Sequence, residues 1–234
     1  GMNILKQSRA DKVEATATGV KVHLQDGSVV EGSHCLMAVG SIPNTENLGL
    51  EEAGVSVAPS GHIIANRVAR TSRANVYAVG DCTDFYPLAS VASMQGRTAV
   101  FHTMGDVAVP TQKRNIASNV FTSPEIASVG WSENEIQDGL VKGEIQKILL
   151  TTNPRAKMQG IKDGFIKLFA STGSRTVIGG VVVGPSASEL IYPIAIAVEN
   201  RLTVDELAAT YTVYPSITGT IGEAARALHD PNLD

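Results

Sequence analysis

The chain has 234 residues, room for one large domain or two small ones. Hydrophobic residues make up 43% and charged residues 18%, which supports a packed core and excludes a disordered chain. Lys and Arg number 19 against 23 Asp and Glu, so the net charge of −4 argues against nucleic acid as a partner.

In chain order, the first predicted elements are strands over 20–39. Val20, Val22 and Leu24 alternate with Lys21 and His23, Asp26-Gly27 signals a tight turn, and Val29-Val30 begins the return. Cys35-Leu36-Met37-Ala38-Val39 is a continuous apolar run ending at Gly40, the pattern of a buried parallel strand. Pro43-Asn44 breaks regular structure. A second buried run, Val76-Tyr77-Ala78-Val79, ends at Gly80-Asp81, and a helix is expected over 89–104. Strand, Gly, acid, loop, helix is the layout of a nucleotide-binding crevice at the carboxyl end of a parallel sheet. Past a linker at 109–114, strands are predicted at 120–121, 127–130, 145–150, 165–170 and 177–183, with a turn at Ser171-Thr172-Gly173-Ser174. Helices follow at 186–200, 204–211 and 218–229, and Thr203 with Glu206 has capping-box spacing. The expected fold is therefore α/β followed by α+β.

Cys35 and Cys82 are far apart and form no metal-type cluster, so two reduced thiols in a cytoplasmic protein are expected. His23, His34, His62, His102 and His229 are scattered, and metal binding is not expected. No apolar run reaches the roughly 18–20 residues of a membrane span, and the first residues lack the pattern of a signal peptide.

Three features could carry chemistry. Asp81, a carboxylate at a strand end behind Gly80, can accept hydrogen bonds from a ribose or ribitol hydroxyl, or it can cap a turn. The helix start at Leu88-Ala89 can hold a partly negative carbonyl or an anion on its free amides, or be an ordinary helix start. Tyr214, Pro215 and Ser216 with the later Glu223 can form a polar contact at an active site, or a buried Tyr with a helix-entry Pro. No G-x-G-x-x-G occurs, so the loop that cradles a pyrophosphate is missing from these residues.

Several segments, in order, resemble the C-terminal half of the pyridine nucleotide-disulfide oxidoreductase family, FAD flavoproteins that include dihydrolipoamide dehydrogenase. They are Ala38-Val39-Gly40-Ser41-Ile42-Pro43-Asn44-Thr45, then Val76 to Asp81, then Leu88-Ala89 with Ala92 and Gly96. Phe121 to Gly130, Asn153-Pro154-Arg155-Ala156, Gly164 to Leu168 and Gly179 to Pro185 continue the series. The resemblance implies a remnant of the NAD(P)-binding domain at 1–39, the second segment of a Rossmann-like FAD-binding domain at 40–114, and an α+β dimerisation domain at 115–234. It implies that Asp81, with Gly80, binds the FAD ribitol, that the Leu88-Ala89 helix start faces the flavin, and that Gly40 lies near the junction of the nicotinamide and flavin domains.

The family's disulfide reductases carry a His-Pro pair near the C-terminus with a Glu five residues after the His. Tyr214-Pro215 stands there instead, Gly219 is where that Glu would be, and the nearest acid is Glu223. A tyrosine, with an ordinary pKa of about 10, is a poor proton shuttle at neutral pH compared with histidine. The resemblance is thus to the branch that passes electrons from NAD(P)H through FAD to a quinone or similar small acceptor. Tyr214 and Glu223 are the expected catalytic pair, and the expected assembly is a homodimer. Dihydrolipoamide dehydrogenase-type disulfide reduction is the second expectation, and a non-catalytic dimerisation fragment the third. The length fits about half of such an enzyme.

Overall fold

The computed structural model describes residues 1–229. They form two compact units, Gly1–Ile42 and a second that begins at Pro43.

In the first unit, β1 (Ala10–Ala15), β2 (Val20–Leu24) and β3 (Val29–Gly32) make an antiparallel sheet in that order. Val22 stands opposite Val13 on one side and Val30 on the other. The Asp26-Gly27 turn forms as its residues dictate. Gly27 takes φ 85°, and the Ser28 amide and hydroxyl donate to Asp26 Oδ1 at 2.9 and 2.6 Å. No residue of this unit is buried.

The predicted strand at 35–39 does not form. Leu36 is 90% exposed and Val39 82%. A central parallel strand needs a neighbour for its amides and carbonyls, and among the described residues none lies alongside. The run at 76–79 is also no regular strand. It is held by an isolated bridge from Tyr77 to Arg70, with Ala78 buried and Val79 partly exposed. Of the expected crevice layout, the turn at Gly80-Asp81 and the helix after it form, without the parallel sheet. A 3-10 turn spans Gly80–Cys82 and α1 spans Ala89–Thr103, close to the predicted limits. Val55, Ile63 and Ala78 form a small core beside them, and Ile63 bridges Thr83 in the parallel sense.

The rest of this unit is α+β. β4 (Ser118–Val120), β5 (Glu125–Gly130), β6 (Gly143–Leu149), β7 (Phe165–Ser171) and β8 (Val177–Gly184) make one antiparallel sheet ordered β4-β5-β8-β7-β6. Two short helices, α2 (Glu133–Gln137) and α3 (Pro154–Met158), lie in its connections. Three more, α4 (Ala187–Asn200), α5 (Val204–Ala209) and α6 (Gly219–Ala227), close the chain's described part. α4 packs on β5 and β8, and α6 on β6 and β7. Ile166, Leu168 and Val182 from the sheet meet Leu190, Ile191, Ile194, Ile221 and Ala224 from the helices in the main core. Glycine on β8 lets α4 come this close: a Cβ on Gly180 would stand 3.0 Å from Ile194. The capping box at Thr203 and Glu206 forms as predicted, and a second, at Ser132 and Glu135, starts α2.

Candidate functional site

The chain runs extended through Val79 and then turns at Gly80, which takes φ 79°. A Cβ there would sit in an unfavourable backbone region and 3.2 Å from the Ala92 methyl on α1. Gly80 is fixed on both sides. Its amide donates to Gln95 Oε1 at 2.8 Å, and its carbonyl accepts from the Thr83 amide at 2.9 Å and the Thr83 hydroxyl at 2.8 Å. Gln95 is 1% exposed, so α1 holds the turn from inside. Asp81 follows directly and is exposed, and no hydrogen bond among the described residues engages its carboxylate.

Seven residues on, extended Leu88 leads into α1 without a side-chain cap. The first-turn amides, beginning with Ala89, thus keep donors that the helix itself cannot satisfy, and no acidic residue stands among them. Gln95 Nε2 is buried with no partner. A free carboxylate, an uncapped helix start and an orphaned buried amide lie on one turn-and-helix unit. That set can accept from hydroxyls and stabilise a partly negative oxygen. Gly40 belongs to the first unit. It takes φ 95° and has open space where a Cβ would stand.

Tyr214 and Glu223 meet at one cavity. It has a volume of about 340 Å³, and its wall includes Asn153, Tyr214, Pro215, Thr220, Glu223 and Arg226. Tyr214 lies on the connection between α5 and α6 and is 82% exposed. Glu223 is on α6, where Arg226 Nη2 donates to its Oε1 at 2.7 Å and Nε to its Oε2 at 3.4 Å. That hydrogen-bonded guanidinium holds the Glu223 carboxyl below its ordinary range, and the carboxylate in turn raises Arg226. No hydrogen bond joins Tyr214 to Glu223 among the described residues, and no histidine lines the cavity. Sequence reasoning missed Arg226 and Asn153. The first was legible as an i, i+3 acid–base pair and the second as an N-cap before proline. A second, more apolar cavity of about 510 Å³ lies beside the same connection, lined by Pro193, Leu207, Tyr211, Val213 and Ile221 among others.

Both cysteines are free, with Cys82 Sγ donating to the Val79 carbonyl at 3.3 Å. Among the described residues no cluster of His, Cys, Asp or Glu could hold a metal ion, and no helix is long and apolar enough to cross a membrane.

Residues 1–96 match the pyridine nucleotide-disulphide oxidoreductase domain, and residues 116–225 match the dimerisation domain of the same family. The NAD(P)H dehydrogenase (quinone) of Mycobacterium tuberculosis (strain ATCC 25618 / H37Rv) is 50% identical over 232 residues, 98% of this chain and 47% of that protein. A dihydrolipoyl dehydrogenase of Staphylococcus aureus is 33% identical over 228 residues, 96% of this chain and 48% of its own length. The crystal structure of LpdA from Mycobacterium tuberculosis superposes with a TM-score of 0.95 at 50% identity, covering 98% of this chain and 50% of that one. The chain thus spans about half the length of the curated relatives it matches. Part of a Rossmann-like dinucleotide-binding fold followed by an α+β dimerisation domain, in the order the matches give, makes this chain a member of the pyridine nucleotide-disulphide oxidoreductase family.

Proposed function

We propose that the chain works as the C-terminal part of an FAD-dependent NAD(P)H oxidoreductase that passes electrons to a quinone or similar small acceptor. In this reading 1–39 completes an NAD(P)-binding domain, 40–114 an FAD-binding domain, and 115–234 pairs two copies as a homodimer in the cytoplasm. The observation that carries it is the Tyr214 cavity, which holds a phenol and no imidazole, with its one nearby acid already bonded to Arg226. Dithiol exchange needs a thiolate and a base able to take its proton. A quinone takes up two electrons and two protons, the protons available from water, so its carbonyl asks the protein for a hydrogen-bond donor, which the Tyr214 hydroxyl would supply. The 50% identity to a protein named NAD(P)H dehydrogenase (quinone) supports the same choice.

The residues on the Gly80 turn fit FAD. The uncapped start of α1 leaves amides free for a polar, partly anionic group, the buried Gln95 fixes the turn behind it, and Gly80 places no side chain there. When bound, FAD supplies a two-electron carrier between the nicotinamide and the acceptor. Asp81 accepts from the ribitol hydroxyls. The Ala89 amide and the dipole of α1 favour negative charge on a flavin carbonyl oxygen. Gly80 keeps side-chain bulk away from that surface. Tyr214 donates to the acceptor oxygen, and Glu223 with Arg226 keeps the floor of that cavity charged and fixed.

The test is turnover of NAD(P)H by the complete enzyme with a soluble benzoquinone and, separately, with lipoamide. Quinone turnover alone is expected, and lipoamide turnover at a similar rate sinks the reading. Asp81→Ala should lower flavin content per protomer after gel filtration. Wild-type flavin content would remove Asp81 from the site.

A further inference from the structure

Asn153 opens the Asn153-Pro154-Arg155-Ala156 segment and uses its whole side-chain amide. Its Oδ1 accepts from the Arg155 amide at 2.8 Å and the Ala156 amide at 3.1 Å, capping α3. Its Nδ2 donates to the Ser216 carbonyl at 2.9 Å and to Thr220 Oγ1 at 2.8 Å. Two acceptor sites and two donors are all that a side-chain amide has, so none is left for solvent or ligand. The two halves of the amide do different work. One half fixes Asn153 to its own helix. The other reaches more than 60 residues along the chain, to the backbone just after Tyr214-Pro215 and to the first turn of α6.

The Tyr214 side chain makes no hydrogen bond of its own among the described residues, and it is largely exposed. Its place is therefore set by the backbone on either side of it. On the far side, the Ser216 hydroxyl accepts from the Gly219 amide at 3.2 Å, and the Ser216 carbonyl is held by Asn153. On the near side, Arg226 Nη1 donates to the Ala208 carbonyl at 2.9 Å, fixing the end of α5 while its other nitrogens hold Glu223. The connection from α5 to α6 is thus tied at both ends, and Asn153 is the tie nearer to Tyr214. Asn153 also stands in the wall of the Tyr214 cavity.

We infer that Asn153 is a positioning residue for Tyr214: its Nδ2 bonds to Ser216 and Thr220 hold the phenol at the mouth of the acceptor cavity. This rests on the acceptor reading of that cavity given above. The choice of residue type follows from the geometry. Aspartate caps a helix as well as asparagine but has no hydrogen to give to Ser216 O or Thr220 Oγ1. Serine caps too, with a shorter arm and a single donor.

The experiment uses the complete FAD-loaded enzyme with Asn153→Asp and, as a second variant free of added charge, Asn153→Ser. Backbone hydrogen exchange is followed at Gly219, Thr220 and Ile221, whose amides donate to Ser216, Ile217 and Thr218, and over α3, and KM and kcat are measured with a soluble benzoquinone beside a Tyr214→Phe control. In both variants, exchange at 219–221 should quicken by about tenfold, the scale of a lost hydrogen bond or two, while α3 stays protected. KM for the quinone should rise several-fold, as in Tyr214→Phe, with KM for NAD(P)H unchanged. Wild-type exchange at 219–221 in both variants overturns the inference. So does a quinone KM that moves in Tyr214→Phe and stays put in the Asn153 variants. Faster exchange with wild-type quinone kinetics in all three variants overturns the acceptor reading itself, and the Asn153 role falls with it.

Discussion

Gly80 is where one side chain's absence matters most. Its φ of 79° costs an L-residue about 1–2 kcal/mol, and an alanine there would also press on Ala92 at 3.2 Å. Gly80→Ala should therefore lower stability by about 1–2 kcal/mol in denaturant unfolding. Ala92→Gly relieves the contact but itself costs about 1 kcal/mol inside α1, so the double variant is compared with Ala92→Gly alone and should still be the less stable of the two by the cost of the backbone angle. Equal stability of those two variants would show that the angle costs nothing. Gly80-Asp81 was visible in the sequence as a strand-end pair. Gln95, which accepts from the Gly80 amide, was not, since nothing in a helical Gln says which way its amide points. Glu223 was visible as an acid near Tyr214. That it spends both oxygens on Arg226 became clear only in three dimensions.

At the scale of elements, legibility followed pairing. The strands of the five-stranded sheet find antiparallel neighbours within the described residues, so four of the five apolar runs formed strands close to where expected, while the first strand is Ser118–Val120 and leaves Phe121 outside it. The run at 35–39 is as apolar and has no such neighbour, and the run at 76–79 has only the isolated bridge to Arg70, so neither formed a regular strand. Local signals carried through more directly. The Thr203–Glu206 box needs only residues three apart, and it starts α5 as read. Its bonds also set a pH dependence. The Thr203 amide and hydroxyl hold the Glu206 carboxyl below its ordinary range of about 4.3. The Ser132 amide does the same for Glu135 and the Arg226 guanidinium for Glu223. A carboxyl lowered on folding stabilises above its unfolded pKa, and that contribution is lost as pH falls through the folded value. Unfolding midpoints should thus be flat at and above pH 6 or so and drop in the acid range below the ordinary Glu value. Thr203→Ala should cost about 1 kcal/mol at neutral pH, and Glu206→Gln, which removes the titrating carboxyl, should make that acid drop shallower, both readable from denaturant curves at several pH values. An unchanged acid slope would remove the Glu206 cap as a source of it.

Across the molecule, protection is distributed unevenly. Gly1–Ile42 has no buried residue, whereas Ile166, Leu168 and Val182 of the five-stranded sheet are wholly buried against helices. Local opening is easiest where few apolar contacts are lost. Amides of β1, β2 and β3 should exchange with deuterium orders of magnitude faster than those of β7 and β8 in the isolated chain. Equal protection in the two sheets would contradict that ordering. The apolar runs without neighbours, the exposed carboxylate of Asp81 and the free start of α1 all lie before the dimerisation domain. Relatives of twice the length have further residues that could meet such surfaces.

The connection that carries Tyr214 also leaves Tyr211 fully exposed, with Val213 79% and Tyr192 67% exposed beside it in sequence or in the neighbouring helix. Such a surface leaves water only by meeting another. By mass action, anything that joins folded chains and ignores unfolded ones raises the apparent melting temperature as concentration rises. A hundredfold increase in chain concentration should therefore shift the melting curve upward, and replacing Tyr211 and Val213 by serine should abolish the shift. A melting curve indifferent to concentration would mean that this ridge is stable in water by itself. Where the shift is seen, the heat resistance of this chain is a property of how much of it is present.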